Sequence, residues 1–483
     1  MAKKEKYLAF KQNGQKYNLY DLSDGFVIEG DLDISDKKLT ELPDLSKVVV
    51  KGYFDCSENQ LTSLEGASQE VGGDFYCSNN KLTSLEGCPQ EIGGDFYCND
   101  NKLTSLKGCP QEVVGDFKCH SNKLTSLEGA PQKVGDFYCE FNELTSLEGA
   151  PQKVKGKFCC DYNKLTSLEG CPQEVGGGFD CQQNQLTSLK GGPLKVGDYF
   201  NCSYNQLTSL ESAPQEIGGD FDCSHNRLTS LEGCPQEIIG DFSCLSNKLT
   251  SLEGCPQEVG GDFYCSQNKL TSLKGCPQKI GGNFHCHINK LTSLKDSPQE
   301  VKDSFDCRMN KIKSLNGCPQ EVGGNFSCDD NQLTSLNGCP HDVGKGFYCS
   351  SNKLTSLMGC PQKVKDFHCR YNQLTTLEGA PNVVEGDFYC ECNKLTSLKG
   401  SPQKVGGNFQ CFDNELTSLE GAPNEVGKDV FGHGFDCRDN KLTSLKGCPQ
   451  IIAGDLNCKG NPLTSFEGKP KKIGGMFIHD DIK

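Results

Sequence analysis

Apolar residues return along this chain at an interval longer than a helical turn or a strand pleat. From residue 54 onward one pattern repeats: Phe-x-Cys-x-x-Asn-x-Leu-Thr-Ser-Leu-x-Gly-x-Pro-x-x-Val-Gly-Gly-Asp. Indexed on its asparagine, it occurs 20 times, from Asn59 to Asn461; of the 19 spacings, 16 are 21 residues, two are 20 and one is 26. Phe stands five before the Asn in every unit but the last, which has Leu456, and Cys stands three before it in all 20. That alternation predicts a strand with one face buried. Leu follows two and five after the Asn, with Ile312 and Phe466 as departures. Gly seven after, present in 18 of 20 units, predicts a turn at positive φ. Pro two residues later favours an extended return over a helix.

A degenerate unit (Leu32, Ile34, Lys37, Leu39, Leu42) precedes the regular ones. One unit is too small to bury its own apolar face, so neighbours must stack in register and share a core. The array is expected over residues 32–478. Residues 1–31 differ in kind. Tyr7-Leu8-Ala9-Phe10, Asn13-Gly14 and Tyr17-Asn18-Leu19-Tyr20 predict a hairpin cap with a primed turn over Leu32 and Ile34. Residues 479–483 form a short polar tail. The repeated Asn is expected to bond backbone groups where the chain leaves the strand, and the Asp six before it to serve turn chemistry. The long spacing places its surplus at residues 427–434, a loop expected to bulge from the link into the strand that resumes at Phe435-Asp436-Cys437.

The Phe-x-Cys-x-x-Asn-x-Leu segment resembles the Leu-x-Leu-x-x-Asn-x-Leu strand segment of leucine-rich repeats. The 20–21-residue length, the Leu-Thr-Ser-Leu run and the Pro-containing return are similar to the short bacterial and viral members. The resemblance implies an all-β-rich, right-handed solenoid. It would carry a parallel concave sheet, an extended, non-helical convex side and an inward Asn ladder. Phe and Cys replace the usual aliphatics, and Gly-Gly-Asp replaces a leading Leu. The Leu-Pro-x-Leu-Pro return and the ligase domain of secreted bacterial effectors do not occur in this sequence, so no ligase activity is carried over.

Composition agrees with a small core used many times: 483 residues with 55 Gly, 32 Cys, 21 Pro, no Trp and 35% hydrophobic residues. A net charge of −15 disfavours nucleic acid and anionic membrane as partners, and no run approaches the ~18 apolar residues of a membrane span. The first residues show no apolar signal region, and with so many thiols the chain is expected in the reducing cytoplasm. Twenty cysteines form the strand column and ten lie eight after the Asn, where Ala130, Ala150, Gly192, Ser297 and Ser401 substitute for them. Rungs ~4.8 Å apart do not match the ~3.8 Å Cβ separation of a disulfide. The thiols are therefore read as free, buried small hydrophobes.

Units differ most at the positions four, two and one before the Asn, which should face outward from the sheet. Tyr76, Tyr97, Lys118, His120, Tyr138, Phe141, Tyr264, His285, His287, Tyr348, His368 and Tyr389, with Phe431 of the long spacing, are the candidate contacts for a partner, since aromatic and cationic side chains on a rigid surface suit protein recognition. Tyr97 and Tyr138 should be removable with little loss of stability. His285-Cys286-His287 puts two imidazoles on one strand face, but the neighbouring rungs add mainly Tyr264, Ser266, Asp306 and Arg308, too few ligands for a zinc site. No metal or cofactor is expected. There is no phosphate loop, no Gly-x-Ser-x-Gly and no His-Glu-x-x-His, hence no expected enzyme activity. The expected function is non-catalytic binding of another macromolecule, a protein, on the concave face, by a monomer or end-to-end oligomer. The alternative is a structural or self-associating rod.

Overall fold

The computed structural model describes residues 8–482. Residues 1–7 of the expected cap, Tyr7 among them, lie outside the described residues, as does Lys483 of the expected tail. The chain divides into two compact units, Met1–Gly240 and Asp241–Lys483. Each is a parallel-strand solenoid. Helix among the described residues is a single 3-10 turn, Leu19–Asp21.

Every regular rung starts with a two-residue strand at its Phe. In the first unit these strands pair in parallel from Leu32–Asp33 to Phe221–Asp222, with Phe54 opposite Phe75 and Phe75 opposite Phe96. In the second they run from Phe242–Ser243 to Phe477–Ile478, again Phe against Phe except where Leu456 stands between Phe435 and Phe477. The return segments do more than extend. Residues such as Glu70–Val71, Glu91–Ile92 and Lys279–Ile280 pair rung to rung into further parallel ladders, with the Val or Ile buried and the Glu or Lys exposed.

The core lies between the two kinds of ladder. Phe75, Cys77, Leu82 and Leu85 are 0% exposed, and the same holds of their equivalents in most rungs. Phe rings on successive rungs stand 5.3 Å apart at Phe75–Phe96 and 5.2 Å at Phe158–Phe179, within stacking range. The thirty-two thiols are free, and all but that of Cys392 are buried. Burial pushes thiols such as those of Cys98 and Cys265 well above their ordinary range.

The repeated Asn bonds its own rung to the one before. Asn80 Nδ2 donates to the carbonyls of Cys77 and Ser78 and to that of Cys56 on the preceding rung, while its Oδ1 accepts the Leu61 N–H. These amide groups are fully engaged, which makes the Asn column structural. The Gly seven residues on has positive φ as expected (Gly87, +87°). Where Ser212 and Asp296 replace it, they hold φ of 70° and 65°, a region that strains side chains with a Cβ.

At the N-terminal end, Ala9–Gln12 and Gln15–Asn18 pair antiparallel around Asn13 and Gly14, both at positive φ. The Gln12 side chain ties this hairpin to the first return strand, donating to Val27 O and accepting from Glu29 N–H. At the other end Phe466, Phe477 and His479 cluster, with Lys469 Nζ 4.2 Å from the Phe477 ring centre. The long spacing forms a turn pinned by Asp429, whose Oδ1 accepts the N–H groups of Phe431 and His433 and whose Oδ2 lies 2.8 Å from His433 Nδ1. The strand re-enters the ladder through a register shift between His433 and Phe435.

Candidate interaction face

The outward positions of the Phe-x-Cys ladder are not equivalent. Four residues before the Asn, side chains stand half-buried in rows. Tyr76, Tyr97, Lys118 and Tyr138 are successive partners in register. The rings of Tyr76 and Tyr97 stack at 4.6 Å, and Lys118 Nζ lies 4.6 Å from the Tyr97 ring and 5.2 Å from that of Tyr138. The expected alignment of these four is thus present. Their hydroxyls, however, are already committed: Tyr76, Tyr97 and Tyr138 donate to Asp74, Asp95 and Asp136. Burial and the adjacent carboxylates hold these phenols above their ordinary range. The Asp column, read from sequence as turn chemistry, also accepts the N–H of the next rung, as Asp74 does from Asp95 at 2.8 Å.

Two residues before the Asn, His120 Nδ1 lies 3.1 Å from Ser121 Oγ, and burial lowers its pKa. Glu140 occupies the same column on the next rung with Oε2 buried and unpartnered. Burial first, and the nearby Asp161, push its carboxyl up to about 7.

One residue before the Asn, the chain takes a left-handed conformation at nearly every rung: Phe141 at φ 54°, Tyr162 at 50°, Tyr204 at 52°, Ile288 at 53° and Tyr371 at 54°. Bulky residues rarely adopt it. It turns these side chains out of the sheet, so that Phe141 is 52% and Tyr162 43% exposed, their rings stacked at 4.5 Å and 13°. Tyr204 stacks on His225 in the same way at 4.1 Å. Tyr162, Tyr204, Met309 and Tyr371 of this column are also legible in the sequence as surface aromatic or apolar residues, although Phe141 alone of them is among the candidate contacts.

In the second unit, Tyr264 stacks on His285 at 4.9 Å and donates to Asp262. His368 stacks on Tyr389 at 4.2 Å and meets Tyr348 edge-on at 4.8 Å. Burial, aided by Arg370, lowers the His368 pKa to about 4. Asp306 escaped the sequence reading as a centre. Its buried Oδ2 faces His287 Nδ1 at 3.2 Å, His285 Nδ1 at 3.8 Å and Arg308 Nε at 3.0 Å. Burial raises its pKa, but the bonds from His285, His287 and the Arg308 backbone outweigh it and hold the carboxyl well below its usual range. A cleft of about 620 Å³ opens beside it, lined by His285, Asp306, Arg308, Tyr348, His368 and Arg370 among others. Phe431 sits on its turn, 82% exposed, its ring 6.1 Å from that of His433.

YopM from Yersinia enterocolitica WA-314 is similar to this chain over 94% of its length and 90% of that protein's, at 21% identity and a TM-score of 0.59. The fold is a leucine-rich-repeat solenoid. YopM from Yersinia pestis, a leucine-rich effector protein, matches at 18% identity over 76% of this chain and 88% of its own (TM-score 0.41). The functional domain of InlJ from Listeria monocytogenes matches at 18% over 70% and 69% (TM-score 0.36). No family model and no curated protein matches the chain. In leucine-rich-repeat terms, the Phe-x-Cys strands form the ladder whose outer face carries the candidate residues.

Proposed function

We propose that this leucine-rich-repeat solenoid is a non-catalytic scaffold that binds another protein on the outer face of its Phe-x-Cys ladder. The observation that carries the reading is the stacked, exposed Phe141–Tyr162 pair. Two aromatic rings held out by a strained backbone contribute little to the core, and rigid aromatic anchors of this kind are what protein interfaces bury at their centres. The Tyr76–Tyr97–Lys118–Tyr138 row is the adjoining contact region, its phenols fixed in place by the Asp column.

Affinity capture from the source cell, followed by titration of the captured protein against Phe141→Ala/Tyr162→Ala, tests this. The double variant should lose ~2 kcal/mol or more of binding with stability changed by no more than ~0.5 kcal/mol. An unaltered affinity would remove the pair from the interface.

A further inference from the structure

We propose that His285, His287 and Asp306 form a three-ligand site for a divalent zinc-class ion, held across two adjacent rungs of the second unit. His285 and His287 lie on one rung, separated by the inward Cys286, and Asp306 pairs with His285 in the ladder. A ligand nitrogen from each ring and a carboxylate oxygen all lie within 4.8 Å of one another. Two of the three separations are 3.2 and 3.8 Å. Ligands ~2.0–2.1 Å from a tetrahedral zinc stand ~3.3 Å apart, so small rotations of the rings close the set.

The chemistry of the set is selective. Two imidazoles and one carboxylate suit zinc and its neighbours and not calcium or magnesium. They are also the ligands of open zinc sites, in which a fourth position takes water or an outside group. Here that side is the cleft that His285 and Asp306 help to line. The surroundings supply outer support. Tyr264 stacks on His285, whereas Ser266 Oγ, 2.9 Å from His287 Nδ1, bonds the ligand nitrogen itself and must give it up to the ion. Asp306 Oδ1 accepts the Arg308 N–H at 3.1 Å, which leaves Oδ2 turned to the rings. Arg308 Nε is the competing cation on Oδ2, 3.0 Å away, on a side chain 52% exposed and free to swing outward. The sequence placed Asp306 on the rung beside the two histidines; the structure adds the approach of its Oδ2 to both rings.

Cobalt(II) added to the intact, reduced chain tests the site, because its visible bands report ligand geometry and its sulfur charge-transfer band reports any cysteine ligation. The expected result is one equivalent bound with nitrogen–oxygen bands and no sulfur band, displaced by zinc. His287→Gln should weaken binding by more than the ~10–100-fold that loss of an outer partner costs, and Arg308→Ala should strengthen it. Far-UV circular dichroism confirms that both variants fold. Absence of saturable binding by the wild-type chain overturns the proposal, as does binding that survives His285→Gln/His287→Gln or that shows the sulfur band.

Discussion

The phenol of Tyr97 donates to Asp95 at 2.9 Å, and the other oxygen of Asp95 accepts the N–H of Asp116 at 2.8 Å. One carboxylate thus ties an outward side chain to the next rung. Tyr97 belongs to the scaffold as much as to its surface, so a measurable cost is predicted where the sequence suggested little loss of stability. Tyr97→Phe should cost ~1–2 kcal/mol, since it takes a hydrogen-bond donor from the Asp95 side chain. Tyr97→Ala should cost more, because the stack on Tyr76 and the Lys118 contact are lost as well. Urea denaturation of the two variants provides the measurement.

Ser212 occupies a position that is glycine in 18 of the 20 units, at φ 70°. Ser212→Gly relieves that strain and should stabilise the chain by ~1 kcal/mol. The reverse change, Gly233→Ser, should destabilise by more than ~1 kcal/mol, because a Cβ there would stand 2.8 Å from the Leu210 carbonyl. Opposite shifts in denaturation midpoint are the expected pair of results.

Glu140 gives a pH dependence with a definite sign. Its folded pKa of about 7 exceeds the usual 4.5, so the native chain binds the extra proton between those values. Its contribution to stability is complete below pH 4.5 and is lost as the pH rises through about 7. Glu140→Gln should therefore match the wild type in melting temperature at the acid end of the window and exceed it above the upper end.

The thiols should separate by burial. Among them Cys392 alone is not buried, so a thiol reagent added to the native chain should label it first, and Cys392→Ser should abolish that fast phase. Under denaturing conditions close to 32 thiols should react, the full complement of the sequence. A titre near zero would point to disulfides and an oxidising compartment.

The stacked rung was legible because its evidence is repeated: Phe75, Cys77, Leu82 and Leu85 recur in column after column, and all are buried. The return ladder was not. Glu91–Ile92 is a two-residue strand with one apolar side chain, too short to show a period. The left-handed column was hidden for a different reason. Phe141 and Ile288 have no intrinsic preference for positive φ; the turn around Phe141 is fixed by Asn142, whose Nδ2 takes the carbonyls of Cys139 and Glu140. The Tyr–Asp bonds did leave a signal. Asp95 lies two residues before Tyr97 and so on the same strand face, within reach of the phenol as well as of the turn. The meeting of His285, His287 and Asp306 depends on side-chain rotamers, which spacing does not reveal.

The asparagine amides have a direction, and it bears on how the chain is made. Asn59 serves the unit before it, accepting from Lys37 and Leu39 N–H and donating to Ile34 O. Each unit thus waits for the asparagine of the one that follows. In the unit of Asn461 the Leu463 N–H instead turns back to Asn461 O. As the chain leaves the ribosome from its N-terminus, a unit can be locked only once its successor has emerged. Folding during synthesis should then trail translation by one further repeat, with a single unsatisfied rung travelling at the growing end.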